Sequence, residues 1–144
     1  MTEPGGPAWR QTTFFPFAVT SELARGTSLR VNLTTPSYET SQYGEVGVVD
    51  AAATHDAETG ITTIFAVNRS LTETVEFQID VALLGSASTV SARSLHDSDI
   101  HAANTLAAPE RVQLRPIEST IADGTLTIEL PPVSWAALRL TPVE

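Results

Sequence analysis

Apolar and polar residues alternate with a period of two along much of the chain. Leu29, Val31 and Leu33 are separated by Arg30 and Asn32, Val75, Phe77 and Ile79 by Glu76 and Gln78, and Leu126, Ile128 and Leu130 by Thr127 and Glu129. Successive side chains of a strand point to opposite faces. Each segment therefore predicts a strand with one face on a core and the other in water, as in an antiparallel sandwich. Val46–Thr54 and Ile61–Asn68 differ. Ile61, Thr63, Phe65 and Val67 would point one way and Thr62, Ile64 and Ala66 the other, and both sets are largely apolar. The polar run His55–Gly60 between them predicts a hairpin turn. Further strands are expected at Ser88–Leu95, Val112–Arg115 and Ser134–Leu140, with Pro131 and Pro132 ending the strand before the last. Roughly seven to nine short strands joined by turn residues imply an all-β, two-sheet β-sandwich. The strand-free stretch from His96 to Glu110 is long for a connection and is expected to pack across one end of that sandwich.

Residues 1–26 have another character. Two prolines and two glycines in Pro4-Gly5-Gly6-Pro7 exclude a helix or a ladder there. Thr12 or Thr13 then caps a short helix from Phe14 to about Ala24, with Pro16 tolerated in its first turn. Arg25 suits the last turn, and Gly26 falls where a left-handed cap ends a helix.

Composition narrows the function classes. The 144 residues are 42% hydrophobic and 17% charged, which reads as one globular domain with a core of its own. The absence of cysteine excludes a disulfide scaffold, a zinc ribbon and a thiol nucleophile. The net charge of −9, with arginine as the sole basic residue type, argues against a nucleic-acid groove or an anionic membrane as partner. No apolar run approaches the roughly 20 residues that cross a bilayer. The first seven residues lack the basic start and apolar stretch of a signal peptide, so a cytoplasmic location is expected.

Candidate chemistry is sparse. His96-Asp97-Ser98-Asp99-Ile100-His101 is the densest group of potential ligands, but a metal site needs three or four donors converging on one point. As a connector, the same segment would use its Asp and Ser side chains to bond local backbone, and this reading is favoured. A glycosidase needs two carboxyl groups roughly 5–9 Å apart in a cleft. Glu22, Glu39, Glu45, Glu58, Glu73, Glu76, Glu110, Glu118 and Glu129 are instead scattered over outward strand positions and turns, as on a solvated acidic surface. No serine sits in a Gly-x-Ser-x-Gly elbow. Trp9, Tyr38, Tyr43 and Trp135 are the candidates for stacking on sugar rings. Trp135 lies in an apolar strand and suits packing, whereas Tyr38 and Tyr43 fall in a segment, Pro36–Gly44, that reads as an exposed loop. Asn32-Leu33-Thr34 and Asn68-Arg69-Ser70 match the glycosylation pattern and are read as chance matches.

Several segments carry a family resemblance. Gly5-Gly6-Pro7-Ala8-Trp9-Arg10-Gln11-Thr12, followed by Phe14-Phe15-Pro16-Phe17, resembles the segment that closes the barrel of glycoside hydrolase family 51 α-L-arabinofuranosidases. Arg25-Gly26, Ser37-Tyr38, Ile64-Phe65-Ala66-Val67-Asn68-Arg69 and Ala103-Asn104-Thr105 with Pro109 and Val112 keep the family's order. Leu130-Pro131-Pro132-Val133-Ser134-Trp135 with Leu138-Arg139-Leu140 is similar to its final strand. The first and last motifs are the most specific, and the set spans nearly the whole chain.

The resemblance implies a (β/α)₈ barrel followed by a C-terminal β-sandwich of jelly-roll type. Residues 1–26 would be the last loop and helix of the barrel and residues 27–144 the sandwich. The family's retaining mechanism uses two glutamates on barrel strands, so no catalytic residue is assigned here, and no cofactor or metal is implied. The expected role is to stabilise the barrel and support a homo-oligomer in an enzyme that releases terminal arabinofuranosyl residues from arabinose-containing glycans. In this frame Ile64 and Ala66 would be buried against the barrel, and the chain alone would expose an apolar patch near its first helix. The alternative is a stand-alone carbohydrate-binding sandwich that stacks sugar on Tyr38, Tyr43 or Trp135.

Overall fold

The computed structural model describes residues 4–84 and 88–142. Helix α1 (Phe14–Leu23) is followed by eleven strands among the described residues: β1 (Thr27–Leu29), β2 (Ser37–Thr40), β3 (Gly44–Gly47), β4 (Val49–His55), β5 (Thr62–Asn68), β6 (Val75–Asp80), β7 (Ser88–Leu95), β8 (Leu114–Pro116), β9 (Ser119–Ala122), β10 (Thr125–Leu130) and β11 (Ser134–Pro142). They form a six-stranded antiparallel sheet in the order β1-β4-β5-β11-β7-β8, a three-stranded sheet β6-β10-β9 and a two-stranded ribbon β2-β3.

The core lies between the two larger sheets. Ile64 and Ala66 of β5 and Ala136, Leu138 and Leu140 of β11 meet Phe77 of β6 and Leu126, Ile128 and Leu130 of β10. The alternating segments Val75–Ile79 and Leu126–Leu130 therefore bury the faces their pattern indicates. Asn68 closes one end of this core. Its amide nitrogen donates to the carbonyls of Glu73, Leu130 and Pro131, and its Oδ1 accepts from the Ser70 N–H. At 2% exposure and fully bonded, Asn68 is no glycosylation acceptor.

The opposite face of the six-stranded sheet carries Phe65 and Ala137, with Trp135 beside them, and α1 lies over these residues through Val19 and Leu23, with Ala24 just past its end. Phe65 and Trp135 stack with ring centroids 6.0 Å apart. Thr63 on the same face donates its hydroxyl to the Leu23 carbonyl at the helix end (3.1 Å), meeting an acceptor that no helical N–H reaches. The two-faced burial predicted for Ile61–Asn68 is thus present, but the assignment of faces is corrected. Ile64 and Ala66 belong to the core between the sheets, and Phe65 faces α1.

Other expectations shift. Neither Thr12 nor Thr13 caps α1 through its side chain; Thr13 holds the cap position without such a bond, and the Thr12 hydroxyl accepts the Asn104 N–H instead. The helix ends at Leu23, so Arg25 lies past its last turn. Leu29, Val31 and Leu33 were expected to line a core, yet all three are exposed. β1 pairs with β4 only over Thr27–Leu29, and beyond it the chain leaves the sheet edge. Pro36–Gly44 is largely the hairpin β2-β3, whose turn is tied by the Thr40 hydroxyl donating to the Gly44 carbonyl and accepting the Tyr43 N–H. The β9-β10 hairpin turns through Asp123 and Gly124, both at positive φ (50° and 76°).

Gly26 is the position where a side chain fits least. Its φ is +77°, and a Cβ there would meet the His55 carbonyl oxygen at 2.1 Å. Gly26→Ala is expected to lower stability by about 2 kcal/mol or more, read from the midpoint of urea unfolding. An unchanged midpoint would show that the α1-to-β1 corner does not need this conformation.

Candidate functional site

The sequence-level candidates for chemistry do not assemble into a catalytic centre. The nine glutamates among the described residues are all exposed. Strand pairing sets Glu39 opposite Glu45 and Glu76 opposite Glu129. Glu45 accepts a hydrogen bond from the Ser37 hydroxyl and Glu76 from the Gln78 side chain, as surface groups do. The His96–His101 segment behaves as the connector reading expects. Asp97 Oδ1 accepts the Asp99 N–H (2.9 Å), Asp99 Oδ1 accepts the His101 N–H (3.0 Å), and Arg111 pairs with Asp99 Oδ2 (2.8 Å). No group of three or more His, Asp or Glu side chains is placed to hold a metal ion among the described residues. Tyr38 and Tyr43 stand on the β2-β3 ribbon, with Tyr43 74% exposed, whereas Trp135 is half-buried on the sheet face beside Phe65.

Two features remain. The first is the outer side of α1. The segment Phe14–Leu23 carries no charge before Glu22, and apolar residues surround its axis. A helix that is apolar all round is normally buried all round. Here one side covers the sheet, while Phe14 is 43% and Phe17 79% exposed on the other. Leu29, Val31 and Leu33 expose further apolar surface along the segment that follows.

The second is a clasp built on Asn104, 5% exposed within the long connection between β7 and β8. Its Nδ2 donates to the carbonyls of Arg10 (3.2 Å) and Val112 (3.0 Å), and its Oδ1 accepts the Val112 N–H (2.7 Å). Its own carbonyl accepts the Trp9 indole N–H (3.0 Å), and its N–H donates to the Thr12 hydroxyl (3.3 Å). One side chain and its peptide groups thus fix the approach to α1 against the end of the sandwich. A cleft of about 620 Å³ opens between the two segments, lined by Trp9, Arg10 and Phe15 on one wall and Pro109, Glu110, Gln113 and Leu114 on the other. A second cleft, of about 470 Å³, lies near Thr12, Trp135 and Val133. Val133 has φ +48°, a strained position for a β-branched residue. Nothing in the hydropathy pattern marks Asn104. The available signals were the family-like motif Ala103-Asn104-Thr105 and the length of a strand-free connection whose backbone groups need partners.

The fold and these features define a β-sandwich module with a covering helix and an exposed apolar side. The family model of the α-L-arabinofuranosidase C-terminal domain matches residues 1–134. The chain belongs to that family, as the motifs at its two ends suggested. An intracellular exo-α-(1→5)-L-arabinofuranosidase of Streptomyces lividans is 46% identical over 140 residues, which are 96% of this chain and 21% of that protein. An exo-α-(1→6)-L-arabinofuranosidase of Bifidobacterium longum is 44% identical, over 97% of this chain and 27% of its own length. The solved structure of a family 51 α-L-arabinofuranosidase from Bifidobacterium longum superposes with a TM-score of 0.87 at 37% identity, over 95% of this chain and 27% of that one. The chain thus spans about a quarter of the length of these relatives. No helix among the described residues is long and apolar enough to cross a membrane.

Removing the clasp tests its structural weight. Asn104→Ala leaves the Val112 N–H and two carbonyls without their partners and is expected to cost about 3 kcal/mol of stability. Amide exchange at Val112 should accelerate with it. Exchange at the wild-type rate would mean that Asn104 is incidental.

Two exposed carboxyls titrate below the usual carboxylate range. The Asp99 carboxyl is held down first by the His101 N–H and then by Arg111, and the Asp56 carboxyl by the Thr59 hydroxyl and the Glu58 N–H. A lowered folded-state value adds stability that is present at neutral pH and is lost as pH falls through that value. In an NMR pH titration, Arg111→Ala should raise the Asp99 midpoint part of the way and leave that of Asp56 in place.

Proposed function

We propose that this chain is the non-catalytic C-terminal portion of an α-L-arabinofuranosidase, docked on a catalytic barrel through the outer side of α1. The observation that carries the reading is the exposure of Phe14 and Phe17 on a helix whose opposite side is already seated on the sheet. The occupant is the remainder of the same polypeptide, because the relatives extend to several times the length covered here. On this reading residues 1–26 are the last loop and helix of a (β/α)₈ barrel, and residues 27–144 are a supporting sandwich. The whole protein releases terminal arabinofuranosyl residues from arabinose-containing glycans with retention, using two glutamates outside this chain. It works in the cytoplasm as a homo-oligomer. The relatives' names differ in linkage.

The test compares two proteins: this chain alone and the polypeptide encoded by its complete reading frame. The longer protein should hydrolyse an aryl α-L-arabinofuranoside, and the chain alone should not. Phe17→Asp should lower the stability of the longer protein by about 2 kcal/mol, the scale of one buried phenylalanine. In the chain alone the same change should stay within about 0.5 kcal/mol, as for an exposed site. Equal effects in both proteins, or turnover by the chain alone, would overturn the reading.

A further inference from the structure

The cleft beside Trp9 has the makings of a sugar site. Its volume of about 620 Å³ lies within the range of small-ligand clefts, roughly 300–1,000 Å³. Trp9, Phe15 and Leu114 supply apolar surface of the kind that packs on the C–H face of a sugar ring, while Arg10, Glu110 and Gln113 supply donors and acceptors for hydroxyl groups. Arg10 and Glu110 offset each other in charge, so the cleft suits a neutral ligand, and the net charge of −9 disfavours an anionic one. The walls are also set in advance. The Trp9 indole is fixed by the Asn104 carbonyl, and the Arg10 carbonyl accepts from the same residue's side chain. Gln113 donates its Nε2 to the Glu110 carbonyl (2.9 Å), which ties these two lining residues together and leaves the Gln113 amide oxygen and the Glu110 carboxylate uncommitted to this bond. Groups held in place before binding lose less freedom on binding.

Position gives the cleft a role. Trp9 and Arg10 lie in the segment immediately before α1. The segment that precedes a helix of a (β/α)₈ barrel is a loop at the barrel's catalytic face. We infer that this cleft, resting on the docking proposed above, binds a sugar ring of the substrate on the leaving-group side of the scissile bond. One wall then comes from the barrel loop and the other from the sandwich. The supporting module thereby contributes to substrate preference through Glu110 and Gln113 without touching the reacting atoms.

The experiment uses the complete polypeptide and reads the ratio of kcat/KM on a linear arabino-oligosaccharide to kcat/KM on an aryl α-L-arabinofuranoside, which has no second sugar. Trp9→Ala should lower this ratio about tenfold, the effect of about 1.4 kcal/mol of lost contact in the transition state. Because Trp9 also bonds Asn104, the double variant Glu110→Gln/Gln113→Ala provides a version that spares the clasp. It should lower the ratio about fivefold, on the scale of one or two lost hydrogen bonds. Ratios that stay at the wild-type value in both variants, in protein that still cleaves the aryl substrate, would overturn the cleft's role and leave the docking intact. A complete polypeptide that cleaves neither substrate would overturn the docking reading and this inference together.

Discussion

Strands β5 and β11 lie side by side at the centre of the wide sheet, and the side chains of both leave water on both faces. A central pair of this kind needs a cover above and below, since each large apolar side chain left in water forgoes roughly 1.5–3 kcal/mol. The three-stranded sheet β6-β10-β9 covers one face with Leu126, Ile128 and Leu130. Helix α1 covers part of the other, over Phe65 and Ala137. The helix is too short and too poor in charge to be stabilised by its own sequence, so its stability comes from this packing. Its far side then repeats the problem one layer out, with Phe14 and Phe17 on the surface. The requirement for a partner is passed from the sheet to the helix and from the helix to whatever lies beyond it.

The polar groups at the helix approach obey the complementary rule, that buried donors and acceptors must be paired. A long connection without strands cannot pair its backbone in a ladder. Asn104 pairs it instead, and in doing so it joins that connection to the chain entering α1. The helix is consequently held at both ends, by the Asn104 clasp through Thr12 at its start and by the Thr63 hydroxyl at the Leu23 carbonyl at its end. A module fixed in this way presents a defined apolar side and a defined cleft beside Trp9.

Much of the sheet was legible because period-two alternation reports directly on burial. Ser88–Leu95 and the strands around Phe77 and Ile128 fall where the pattern puts them. The same signal misled at Leu29, Val31 and Leu33, where alternation is present but β4 offers an edge only as far as Leu29. Alternation describes the faces of a strand, and it carries no information on whether a second layer is there to meet them. In β5 the pattern showed two buried faces and could not say which neighbour lay on which. The hairpin through Asp123-Gly124 had a turn signal in the sequence, a dipeptide suited to two positive φ angles, although the strand before it is short and polar enough to escape notice. The clasp was illegible for a different reason: five hydrogen bonds from one residue reach positions as much as 95 residues away, and no local pattern encodes them.

On the reading proposed above, the far side of α1 is an interface. Hydroxyl-radical footprinting of Phe14 and Phe17, in this chain alone and in the polypeptide from the complete reading frame, tests it most directly. Both rings should be labelled in the short protein and protected in the long one. Equal labelling in the two would contradict the account.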